Sequence, residues 1–340
     1  MKPTPQGDPP PGLYRAAFLG RSGLFYRNAL VSVGVVLAAY GISLALPSNW
    51  LALLGLLPPV FLAYSVWTTF MSVHPPRWFA MRNVTPEIFF LPYEDIQLRT
   101  CDGLRLSGWF VPARGVDDRQ AAVIILAHGR GGSCSSMILH LEALHKGGYS
   151  LLALDLRAHG RSQGDTSTFG ILETQDILAA VDYLRTRQDV DLGRIGAFGV
   201  SLGAQAVLRA AALSPEIRAV GMEGLGSASL EDHGSSGRPA SLRSKLYYPL
   251  NWFAYWLGDV MTGIRSPEST TAVIRRVSCP LLLISTGKGS EQKFNRLFYA
   301  AASQPKTLWE LPRAKHAGGL VQDPKAYREK LLRFFDEALA

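Results

Sequence analysis

One stretch, Gly199-Val200-Ser201-Leu202-Gly203, sets a lone hydroxyl between two residues that have no side chain. That spacing suits a strand that turns sharply into a helix, where a Cβ on either glycine would strike neighbouring backbone, and where the serine stands exposed as a nucleophile. A serine does acyl chemistry only with three kinds of help: a base to take its proton, a carboxylate to orient that base, and donors for the oxyanion. Of the seven histidines, His316 in LPRAKHAGGL has the best context, just after the last apolar run and with small residues behind it. The chain order serine, acid, histidine points the same way. Two carboxylates compete for the middle place. Glu291 follows the run PLLLIST in GKGSEQKF, and Glu223 ends the preceding run AVGME. Leu202 N–H, at the start of the helix after Ser201, is one expected oxyanion donor. The other is expected from the loop LAHGRGGS, with Arg130 N–H first and Gly131 second. His128 belongs to that loop and is read as structural.

The elements that must carry these residues are legible as apolar runs alternating with amphipathic stretches. Runs at 121–127, 149–156, 194–200, 217–223, 280–286 and 306–312 read as buried strands. Helices are expected near 134–147, 171–188, 202–213, 290–303 and 324–338. Strand and helix in alternation give a mostly parallel sheet with helices on both faces. Before them, EDIQLRT and GLRLSGWFVPA flank the turn signal CDG and predict a hairpin. Residues 226–278 are too long for a simple crossover and carry the aromatic segment YYPLNWFAYWLGDVM. They are expected to form a small helical lid.

The first quarter of the 340 residues has another character. Hydrophobic residues make up 47% of the chain and charged residues only 18%, which leans toward a membrane. Between Arg27 and Arg77 there is no Asp, Glu, Lys or Arg. The apolar runs 29–46 and 51–70 are 18 and 20 residues long. At 1.5 Å per residue each nearly or fully crosses a hydrocarbon core of about 30 Å. Residues 29–72 therefore read as a two-helix transmembrane hairpin, turned at PSNW and kinked at Pro58-Pro59. Residues 1–28 form the N-terminal segment and 73–93 a connector. Basic residues flank the outer ends of the runs, which puts both ends and the following domain in the cytoplasm. Most of the net charge of +8 lies in this same region, where Lys2, Arg15, Arg21, Arg27, Arg77 and Arg82 stand against the single acid Asp8. That distribution argues against a nucleic-acid binder, which needs a basic face on its folded domain. Cys101, Cys134 and Cys279 are far apart and show no metal spacing, so they read as reduced thiols.

With these pieces in view, residues 94–340 resemble the α/β-hydrolase superfamily of serine hydrolases. The resemblance rests on LAHGRGGS, LDLRAHGRSQGD, GVSLGA, LLLIST and AKHAGGL, in the family's order. The hydrophobic N-terminus makes the chain similar to membrane-anchored members. The resemblance implies Ser201 as nucleophile, His316 as base and an acid after the sixth or seventh strand of the family. The usual aspartate position is occupied here by Ser290, which leaves Glu291 inferred. Asp155 and His159 match positions that support the loop beside the site. The expected activity is hydrolysis of an ester, thioester or amide through an acyl-enzyme on Ser201, without metal or organic cofactor. The expected partners are a small-molecule or lipid-like acyl substrate and, through residues 29–70, the bilayer. Acyl transfer on the same nucleophile, and a catalytically silent membrane scaffold, are the alternatives.

Overall fold

A computed structural model describes residues 41, 49–75, 77, 84–113, 121–229, 231–232, 253, 256–264, 268–287 and 289–340. The chain divides into two compact units: Met1–Val73 with Leu242–Ser266, and His74–Ser241 with Pro267–Ala340.

In the larger unit, eight strands among the described residues form one sheet in the order β1-β2-β4-β3-β5-β6-β7-β8. The strands are β1 (Glu94–Arg99), β2 (Arg105–Val111), β3 (Val123–Ala127), β4 (Ser150–Leu154), β5 (Ile195–Val200), β6 (Ile217–Glu223), β7 (Leu281–Thr286) and β8 (Lys306–Leu311). The expected hairpin is β1–β2, with Glu94 opposite Phe110 and Arg99 opposite Arg105. β2 also pairs antiparallel with β4, and every later pairing is parallel.

Successive residues of a strand face opposite ways, and here both faces are buried. Val123, Ile125 and Ala127 of β3 join the core on one side, with Ile177, Leu208 and Phe298. Ile124 and Leu126 join the other, with Leu141, Leu331 and Phe335. Such strands read as unbroken apolar runs because neither face meets water. Burying a side chain the size of Phe335 contributes about 1.5–3 kcal/mol, and it lies against Gly196, where an added Cβ would sit 2.9 Å from its ring.

The smaller unit contains the helix α1 (Asn49–Val73), 25 residues long, which continues through Pro58 and Pro59. Among the described residues no helix is long and apolar enough to cross a membrane. The two-span hairpin expected over 29–72 is therefore not supplied by them. The first run, 29–46, lies outside the described residues except Gly41. The second run, 51–70, falls within α1. Of the expected lid, residues 256–262 are helical, and the helix Thr270–Arg275, capped by Ser269 Oγ accepting from Ala272 N–H, leads into β7.

Candidate active site

The parallel strands all deliver their C-terminal ends to one edge of the sheet, the place where open α/β sheets put their ligands. β5 ends at Val200, and the next residue, Ser201, takes φ 53°, a left-handed conformation that few non-glycine residues adopt. The helix α4 (Leu202–Ala211; α2 and α3 being Ile138–Lys146 and Glu173–Arg185) starts immediately after it. The flanking glycines are required by contact. A Cβ on Gly199 would lie 2.3 Å from Gly203 O, and one on Gly203 would lie 2.2 Å from Ala127 O. Strand, turn and helix are pressed together at this point, and the turn holds Ser201 Oγ outward.

The loop after β8 brings His316 to it. His316 Nε2 stands 2.9 Å from Ser201 Oγ, and His316 Nδ1 stands 2.6 Å from Glu291 Oε2. A carboxylate only accepts, so Nδ1 carries the hydrogen and Nε2 is left to accept from the serine hydroxyl. Glu291 lies in the first turn of the helix Ser290–Ala301. Its other oxygen is fixed by Thr286 at the end of β7, whose N–H (2.6 Å) and hydroxyl (2.9 Å) both donate to Oε1. Thr286 Oγ1 in turn accepts from Ala317 N–H at 3.0 Å, so one threonine ties the acid to the histidine loop. The hydrogen bond to Glu291 raises the His316 pKa above its usual value, against burial, which lowers it.

Of the two carboxylates weighed from the sequence, Glu291 reaches the imidazole. Glu223 is wholly buried and turns elsewhere: Oε1 accepts from Gly319 N–H at 2.8 Å and Oε2 from Tyr327 Oη at 2.5 Å. Its backbone is closer to the chemistry, for Glu223 O accepts Ser201 N–H at 2.8 Å. That bond engages the Ser201 amide and leaves Leu202, the first residue of α4, as the elbow's candidate oxyanion donor.

The loop carrying Arg130 lies beside Ser201. A Cβ on Gly129 would be 3.5 Å from Ser201 Cβ, and Gly131 takes φ 72°. The Arg130 guanidinium stacks 4.1 Å over the Phe169 ring. His128 is a pillar of this loop. It is buried, its Nδ1–H donates to Gly129 O at 2.7 Å, and Nε2 accepts from Leu156 N–H at 3.1 Å. Burial, with the nearby His159 ring adding, lowers its pKa to about 4. Asp155 supports the same region, accepting from Cys134 N–H and Arg161 N–H at 2.7 and 2.8 Å.

Two contributors escaped the sequence reading. Thr286 is the last residue of LLLIST, and its place between the apolar run and the acid is the signal that could have found it. Gly224, at φ 67°, presents a bare face to the imidazole: an added Cβ would lie 2.9 Å from His316 Cε1. Its signal is a glycine directly after a strand's final carboxylate.

Among curated proteins, the chain is 28% identical to YfhR of Escherichia coli (strain K12) over 251 residues, 72% of this chain and 81% of that one. It is 26% identical to the alpha/beta hydrolase domain-containing protein WAV2 of Arabidopsis thaliana over 268 residues, 75% and 82% of the two chains. Among solved structures, the Pyrococcus furiosus esterase Pf2001 superposes with a TM-score of 0.60 at 26% identity, covering 79% of this chain and all of that one. The profile of the alpha/beta hydrolase family matches residues 124–330, more than half the chain, and includes Ser201, Glu291 and His316. The chain belongs to the alpha/beta hydrolase family.

Proposed function

We propose that the protein is a membrane-anchored serine hydrolase. Ser201 Oγ attacks the carbonyl of an ester, thioester or amide while His316 Nε2 takes its proton. Leu202 N–H and Arg130 N–H stabilise the oxyanion. His316 then returns the proton to the leaving group, and water activated by the same imidazole releases the acid from the acyl-enzyme. Glu291 orients His316 and stabilises the imidazolium that forms at each step. The observation that carries this reading is the unbroken chain from Ser201 Oγ through His316 to Glu291, at 2.9 and 2.6 Å. The likeness to an esterase at 26% identity supports an ester as acyl donor. Reaction of the protein with a fluorophosphonate, lost in Ser201→Ala, is the test.

The anchor rests on the uncharged stretch between Arg27 and Arg77 and on the side chains of α1. Val60, Tyr64 and Trp67 are all more than three-fifths exposed, and their spacing of four and three residues puts them on one helical face. Such a face suits lipid. Thr68 Oγ1 donates to Tyr64 O at 2.9 Å, which satisfies a hydroxyl within the helix as an apolar medium requires. The basic flanks of that stretch favour a cytoplasmic side for the catalytic unit. A lipid-like acyl substrate, met at the bilayer, follows from the anchor. Recovery of the protein in membranes after alkaline carbonate washing tests it, and release by the wash counts against it.

A further inference from the structure

The buried carboxylate that does not touch His316 remains without a part in this mechanism. Glu223 is fully enclosed at the end of β6. Tyr327, in the C-terminal helix Pro324–Ala338, donates its hydroxyl to Oε2 at 2.5 Å. His140 of α2 places Nε2 3.7 Å from the same oxygen, beyond hydrogen-bond length. It also lies 3.4 Å from the Tyr327 hydroxyl. The remaining oxygen, Oε1, holds Gly319 N–H at 2.8 Å, three residues after the catalytic histidine. Gly319 is packed so tightly that an added Cβ would meet Tyr327 Cε2 at 2.8 Å and Glu223 Oε1 at 3.0 Å. On its other side the Glu223 peptide continues into Gly224, against which the imidazole rests, and its carbonyl holds Ser201 N–H. One residue thus joins the serine turn, the seat of the imidazole and the far end of the histidine loop.

We infer that Glu223 is a positioning residue for His316: its buried carboxylate, clamped by Tyr327, pins the histidine loop at Gly319 and keeps a negative charge in the neighbourhood of the imidazole. This rests on the catalytic reading of Ser201 and His316. Burying an ionised carboxylate is costly unless it is paired and hydrogen-bonded, and here three groups do so. Burial pushes its pKa up, yet His140, the Tyr327 hydroxyl and Gly319 N–H together hold it below the usual value. It therefore remains ionised at neutral pH. Glu291 from the helix after β7 and Ser201 from the turn after β5 contact His316 directly, Glu223 of β6 acts on it through space without contact, and both glutamates act to raise the His316 pKa. On its own loop, Arg313 and Lys315 are exposed.

The test is the Glu223→Gln variant of the full chain in detergent, which keeps an acceptor for Gly319 N–H but removes the charge. His316 is titrated by NMR of labelled histidine, its signal assigned with His316→Ala, and kcat and KM are measured on p-nitrophenyl butyrate. The expected result is a His316 midpoint lower by about half a unit or more, an acid limb of kcat/KM lowered alongside it, and a kcat reduced several-fold at unchanged KM. Glu223→Asp restores the charge and so the midpoint. An unmoved midpoint in folded Glu223→Gln overturns the inference. If that variant does not fold, Tyr327→Phe serves, since it loosens the clamp but keeps the charge. A several-fold lower kcat at unchanged KM is then expected, and a wild-type kcat overturns the inference. Failure of the catalytic reading is a different outcome, a wild type without esterase activity or fluorophosphonate reaction, and the NMR titration still decides the electrostatic role.

Discussion

Glu291 Oε2 lies 2.6 Å from His316 Nδ1, across 25 residues of chain. The contact joins the helix that follows β7 to the loop that follows β8. These strands are neighbours in the sheet, with Thr286 paired to Leu311 at their C-terminal ends, so the register of two strands sets the meeting of Glu291 and His316. Thr286 then fixes the glutamate from the other side.

Removing the charge on Glu291 is predicted to cripple the reaction without emptying the site. Glu291→Gln lowers kcat by about 10²–10⁴-fold, because the imidazole loses the partner that fixes its tautomer and stabilises its charged form. The same change moves the acid limb of kcat/KM. Glu291 raises the His316 pKa, so the variant keeps a neutral imidazole to lower pH and the limb shifts down. A pH–rate profile of the residual activity measures both effects, and a limb that stays put removes Glu291 from the account.

The glycines of the serine turn are predicted to be irreplaceable for steric reasons. In Gly203→Ala the new Cβ meets Ala127 O at 2.2 Å and His128 O at 2.8 Å. Neither backbone oxygen can retreat without moving β3. The expected cost is about 3 kcal/mol, together with loss of fluorophosphonate reaction. Gly129→Ala is the contrasting case. Its Cβ meets only ordinary contacts, the nearest at 3.5 Å, and its stability should stay within about 1 kcal/mol of wild type. Denaturant unfolding of the two variants gives the comparison.

Acid should destabilise the protein through His128. Its pKa is about 4 in the fold against about 6.5 in an unfolded chain. Between those values the unfolded state binds more protons, so stability rises with pH. The contribution is fully present above pH 6.5 and falls as the pH drops toward 4, with about 2 kcal/mol lost by pH 5. Unfolding of wild type and His128→Asn at pH 7 and pH 5 tests this. The variant is less stable at both values, and its loss between them is smaller. An equal loss in the two proteins assigns the acid sensitivity to other groups.

Much of this arrangement was readable in the sequence, for identifiable reasons. The strand 217–223 and the helix 324–338 fall at the expected residues, because a strand buried on both faces and an amphipathic helix with a Pro start leave clear patterns. The serine turn was legible because its glycines answer to local contacts. The acid was not settled, since its choice depends on which strand end reaches His316. Sequence spacing carries no information on that, and the register of β7 and β8 does. Tyr327 was hidden for a similar reason: it reads as a core residue of its helix, and only the packed fold brings its hydroxyl to Glu223. The hairpin expected over 29–72 rested on absence of charge, and the described residues there comprise Gly41 and α1.

The most direct test is reaction of the detergent-solubilised full chain with a fluorophosphonate, comparing wild type, Ser201→Ala and His316→Ala. The serine mechanism predicts a single adduct on Ser201 in wild type, none in Ser201→Ala, and a rate lowered more than about a thousandfold in His316→Ala. A folded wild type that forms no adduct, or an adduct that survives Ser201→Ala, would contradict it.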